Sequence, residues 1–89
     1  MNKLLIAAFA LANIGIAAPA LAEPSCDVNR EEWQTEQALR DKLGALRWTI
    51  KNVKIDNGCY EVYGADENGK RVEIYFNPKT LEAVPGQGG

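Results

Sequence analysis

The stretch NVKIDNGCYEVYGADENGKRVEIYFNP, Asn52 to Pro78, alternates apolar and polar side chains and is interrupted twice by turn residues. Val53 and Ile55 share one face of an extended chain, because successive strand side chains point to opposite sides. Asn57-Gly58 follows, the strongest short hairpin signal, since both residue types accept the positive φ of a tight turn. A two-residue loop there sets Asp56 against Cys59, Ile55 against Tyr60, Lys54 against Glu61 and Val53 against Val62. Apolar residues meet apolar ones and Lys54 meets a carboxylate, so pattern and register agree. The second turn, Glu67-Asn68-Gly69, places glycine where a left-handed conformation is needed. It sets Asp66 against Lys70, Gly64 against Val72, Val62 against Ile74 and Tyr60 against Phe76. Trp48 and Ile50 are one residue out of phase with Val53 and Ile55, and a bulge near Lys51-Asn52 returns them to the core face.

Upstream the period changes. In QTEQALRDKLGALRW, Gln34 to Trp48, Leu39, Leu43 and Leu46 recur at helical spacing with Ala38 beside them, while Arg40, Asp41 and Lys42 fall off that stripe. Asn29-Arg30-Glu31-Glu32 fits an N-cap with glutamate at the third helical position. These signals predict one amphipathic helix over residues 30–46, with Gly44 near its close. The alternative puts Trp33 in a preceding turn and starts the regular helix near Thr35. The expected fold class is α+β: one N-terminal helix on one face of a three-stranded antiparallel β-meander. The helix is expected to cover Val53, Ile55, Tyr60, Val62, Val72, Ile74 and Phe76. Pro78 ends the third strand, and residues 85–89 are expected to be a flexible tail.

The chain begins MNKLLIAAFALANIGIAAPALAEPSC. Lys3 precedes an apolar run, Leu4 to Ala18, shorter than the ~20 residues a membrane span needs. Pro19 and Ala20-Leu21-Ala22 then give a break and a small-residue cleavage pattern. Residues 1–22 are expected to be a signal peptide, cleaved near Ala22, with no stable membrane insertion afterwards and with a periplasmic or secreted destination. A segment of residues 23–32 then carries Cys26. Lys3 is lost with the leader, leaving nine basic and twelve acidic side chains and a net charge near −3. That balance argues against a nucleic-acid partner.

Export bears on the two cysteines. Outside the cytosol they can stay oxidised, so a Cys26–Cys59 disulfide is expected. It closes a loop of about 33 residues, worth roughly 3–4 kcal/mol in the chain-entropy model, which matters to a domain with a thin core. A redox or metal pair fits less well, because the chain has no Cys-x-x-Cys spacing and no histidine. Alternation places Cys59 on the face away from the helix. Either the N-terminal segment wraps round the hairpin end to reach it, or the strand is irregular there.

A helix followed by WTIKNVKIDNGCYEVYGADENGKRVEIYFNPKTLEAV resembles the PepSY domain, found in peptidase propeptides and exported bacterial proteins. The resemblance covers residues 33–84. Its marks are Asp56-Asn57-Gly58 before Tyr60-Glu61-Val62, then Asp66 to Gly69, then Asn77-Pro78-Lys79-Thr80. The family pattern usually ends Asp-Pro-x-Thr-Gly, whereas this chain has Asn77 for the Asp and Leu81 for the Gly. The resemblance implies a non-catalytic module that inhibits or regulates peptidases, or a local binding or sensing domain.

The residues themselves offer little chemistry. With no histidine and both cysteines expected in a bridge, no nucleophile has a base, so no catalytic residues, cofactor or metal are expected. The outer sheet face is more informative. Alternation projects Lys54, Glu61, Tyr63, Arg71, Glu73 and Tyr75 away from the helix, with Asn52 beside them. Two tyrosines exposed among charges have the composition of a recognition surface, or they simply strengthen cross-strand packing. The first and third strands are edges, and either could accept an extended peptide, or the charges at Lys51, Lys54, Arg71 and Glu73 serve to discourage such pairing. The expected partner is a protein or peptide, with a peptidase as the foremost candidate. The alternative is a structural or accessory envelope protein acting through self-association or a complex.

Overall fold

The computed structural model describes residues 23–87; the expected signal peptide and its cleavage site lie outside them. A single turn of 3₁₀ helix, Arg30–Glu32, leads to helix α1, Glu36–Ala45, and then to β1, Thr49–Asp56, β2, Cys59–Ala65, and β3, Arg71–Phe76. The strands form one antiparallel sheet in the order β1-β2-β3, and α1 covers one face, as expected.

The helix takes the later of the two expected starts. The Thr35 side chain accepts the Ala38 N–H, the ordinary cap bond, whereas Asn29 makes no cap bond and donates instead to Glu32. At the other end the closing residue is Arg47 rather than Gly44. Arg47 adopts φ 67°, and the Trp48 N–H reaches back to the Leu43 carbonyl, while that of Arg47 reaches Gly44. This is a Schellman closure with a non-glycine residue at its left-handed position.

The strand register is the expected one, from Asp56↔Cys59 to Val53↔Val62 and from Tyr60↔Phe76 to Ala65↔Arg71. Asn57 and Gly58 both have positive φ, 52° and 76°, which matches the right-handed twist of the flanking strands. The bulge falls between Ile50 and Asn52. It brings the Thr49 carbonyl down onto Gly64, where a Cβ would stand 2.1 Å from the oxygen. The bulge and the glycine therefore require each other.

Leu39, Leu43, Tyr60, Val62, Phe76 and Leu81 form the buried core. Trp33 closes the hairpin end of that core, edge-on to Tyr60 at 5.3 Å, and Trp48 packs edge-on against Phe76, the cross-strand partner of Tyr60. Ile55 departs from expectation, because the helix does not cover it and it is 52% exposed. A ten-residue helix spans only ~15 Å, and Trp33 rather than α1 reaches the hairpin end.

The C-terminal part folds back. Asn77 Oδ1 accepts the N–H groups of Lys79 and Thr80, making the turn that an aspartate would make. Ala83 then bridges to Phe76, and the Val84 N–H donates to the Tyr75 carbonyl. Gln87, within the segment expected to be flexible, accepts from the Tyr75 N–H and donates to the Tyr75 and Val84 carbonyls through its side chain.

Candidate functional site: the outer face of the sheet

The face opposite α1 carries every candidate residue, but the structure divides it in two. At the hairpin end it is closed. Cys26 and Cys59 form the expected disulfide, and the N-terminal segment does wrap round the turn to make it. The Cys26 N–H donates to the Asn57 carbonyl, and Asn57 Nδ2 donates to that of Pro24. The Cys26 carbonyl sits so close over Gly58 that a Cβ there would lie 2.2 Å from it. Farther along, Val28 accepts from the Trp33 indole, which carries the segment round to the helix side. Cys59 is fully buried beneath this wrap, with β2 regular through it.

Tyr75 does not stand exposed, as alternation suggested. It is 8% exposed, and its hydroxyl donates at 2.7 Å to Asp56 Oδ2. Tyr75 belongs to β3 and Asp56 to β1, so the ring lies across β2 between Cys59 and Glu61 and ties the outer strands together. Glu61 is likewise buried, at 5% exposure, and accepts the Tyr63 hydroxyl at 2.8 Å. Burial pushes the Glu61 carboxyl above the ordinary glutamate range, and the neighbouring Glu73 carboxyl adds to the rise. The hydrogen bonds to Glu61 and Asp56 hold the Tyr63 and Tyr75 phenols well above their ordinary values. Tyr75 and Glu61 thus serve the fold, because a tyrosine is long enough to fold over a neighbouring strand.

The far end of the face is open. There Tyr63, Arg71 and Glu73 line a shallow cleft of about 650 Å³ with Thr49, Lys51 and Val72. The small pair Gly64-Ala65 also lines it. Lys54 lies along one approach, its ammonium 5.3 Å from the Tyr63 ring centroid, the geometry of a weak cation–π contact. Of the six expected partner residues, then, Lys54, Tyr63, Arg71 and Glu73 remain together at an open surface, and Glu61 and Tyr75 do not. Sequence reasoning read Lys51 as an edge charge rather than as part of this cleft, and did not place Gly64-Ala65 in it. The bulge at Lys51 was the available signal, since a bulge re-aims a side chain.

Among the described residues the ion pairs are Arg40–Glu36 and Lys79–Glu32, both at the surface and neither on this face. Lys51, Lys54 and Arg71 are exposed and, among the described residues, paired with no carboxylate. The Asp66 carboxylate is occupied by the N–H groups of Asn68 and Lys70, and no group of residues suited to hold a metal ion occurs among the described residues. No helix among them is long and apolar enough to cross a membrane.

A family model described as peptidase propeptide and YPEB domain matches residues 6–87. No curated protein and no solved structure matches the chain.

Proposed function

We propose, from the premise that the chain belongs to the PepSY family of peptidase propeptide and YPEB domains, that it is an exported, non-catalytic binding module that inhibits or regulates a peptidase. Membership supports the coarse reading, a propeptide-type regulatory module of the kind typically found outside the cytoplasm. The finer reading rests chiefly on one observation: the outer face is sealed at the hairpin end but open at a cleft lined by Tyr63, Arg71 and Lys51. Aromatic and arginine side chains anchor protein interfaces out of proportion to their number. Both cysteines are consumed in a disulfide and the chain has no histidine, so binding suits the site better than nucleophilic chemistry. Export agrees with the bridge, with cleavage near Ala22.

The experiment is inhibition of purified periplasmic and secreted peptidases by the oxidised protein, wild type beside Arg71→Glu. Arg71 makes no ion pair among the described residues, so the variant should melt with wild type while losing inhibition. Inhibition retained by the variant, or absent from the wild type, overturns the proposal. So does a stable homodimer that leaves every peptidase untouched, which would favour the accessory reading.

A further inference from the structure

The two edges of the sheet are treated differently. The β3 edge is occupied by the chain's own C-terminal segment, through the Ala83 bridge, the Val84 N–H and both ends of the Gln87 amide. The β1 edge has no such cover. Among the described residues β1 pairs with β2 alone, and no backbone hydrogen bond from outside the sheet reaches it. An uncovered edge is a row of unpaired N–H and C=O groups, a template for another strand.

The side chains along that edge specify what the strand would be. On the outer side stand Lys51 and Lys54, exposed and, among the described residues, without carboxylate partners, and Lys51 lines the open cleft that Arg71 also lines. On the inner side stand Val53, half-buried, and Ile55, 52% exposed and not covered by α1. A strand laid along β1 would put alternate residues beside the lysines and the others beside Val53 and Ile55. Charge complementarity asks for acidic residues in the first set, and burial of Ile55 asks for apolar residues in the second.

We infer that β1 is a docking edge for an extended segment of a partner protein in which acidic and apolar residues alternate. The inference rests on the binding reading above and gives it a location and a ligand chemistry. The same lysines disfavour a second copy of this chain. A two-fold pairing centred on Lys54 sets the two ammonium groups face to face, which is destabilising. Selectivity here comes from repulsion of the wrong strand as much as attraction of the right one.

The test uses a blocked heptapeptide alternating Glu with Val, and its counterpart with Lys in place of Glu, titrated into the isotope-labelled oxidised protein. The glutamate peptide should shift the amide signals of Lys51 to Ile55 and slow their hydrogen exchange, leaving Arg71 to Phe76 unchanged. Added salt should weaken it. The double variant Lys51→Glu, Lys54→Glu should exchange its preference for the lysine peptide, a swing of about tenfold or more. Shifts confined to the cleft or to β3, an unreversed preference, or no binding by either peptide would overturn the inference. Concentration-dependent changes at β1 without peptide would overturn it in favour of a second copy. No peptidase enters this measurement. A protein that inhibits peptidases yet ignores both peptides therefore loses the edge and keeps the proposed function.

Discussion

Leu81 adopts φ 61° although it is not a glycine, and its side chain is 5% exposed in the core. The conformation is locked by the Leu81 N–H donating to the Asn77 carbonyl and by Lys42 Nζ donating to the carbonyl of Leu81 itself. A left-handed backbone costs an L-residue about 1–2 kcal/mol, and truncating a buried leucine to alanine commonly costs about 2–5 kcal/mol. Leu81→Ala removes the packing and leaves the strain, so it should lose about 2–3 kcal/mol, the low end because the core is small. Leu81→Gly removes both and should be more stable than the alanine variant by about 1 kcal/mol. Elsewhere in regular structure alanine to glycine costs about 0.5–1 kcal/mol, so the sign of the difference is the diagnostic. Urea unfolding of the oxidised wild type, alanine and glycine variants measures it, and a gap of that size also separates melting temperatures by about 4–8 °C in a domain this small. A glycine variant no more stable than the alanine variant would refute the claim that backbone strain is stored at this turn. A glycine variant as stable as wild type would refute the claim that the leucine contributes through burial.

Cys59→Ser should lower stability by roughly 3–4 kcal/mol through the lost loop constraint, read as an earlier urea midpoint that matches reduced wild type. Gly64→Ala should cost about 2–3 kcal/mol by driving a methyl group into the Thr49 carbonyl; thermal unfolding checks it, and a neutral result would mean the bulge relaxes freely. The raised carboxyl of Glu61 means the native state keeps a proton that the unfolded chain has already lost. Stability should therefore fall as pH rises from about 4 through that window. Urea midpoints across that range should show this decline in wild type and a flatter profile in Glu61→Gln. The Tyr63 and Tyr75 phenols add a second decline above about pH 10.

The meander could be read residue by residue because its determinants are local. Period-two alternation, Asn57-Gly58, and Gly69 fix register within a few residues of themselves, and the bulge follows from a phase error of one. The helix start was ambiguous because Asn29 and Thr35 are both good caps, and in the fold only Thr35 makes the cap bond while Trp33, between them, docks on Tyr60. The candidate site was half legible. Alternation assigns a side chain to a face but does not say how far it reaches, so Tyr75 stretching over β2 to Asp56 was invisible. Cys59 on the outer face was itself the sign that something must cover that end. Nothing local announced that Gln87 would hold the backbone of Tyr75, because that contact joins segments with no shared periodicity.

The Cys26–Cys59 bridge also sets the route by which the domain would carry a pulling force. A load applied between Glu23 and Gln87 passes from Cys26 directly to Cys59, at the head of β2, and bypasses the helix and β1. Those elements hang from the load path as a closed side loop. Stretching the oxidised domain can therefore peel only β2 and β3 into an extended chain, while the 33-residue separation stays tied off. Cutting the bridge with a thiol under tension should release that hidden length in one step of about 110 Å, at ~3.3–3.6 Å per residue. The extension of the domain under load is therefore governed by the redox state of this one bridge.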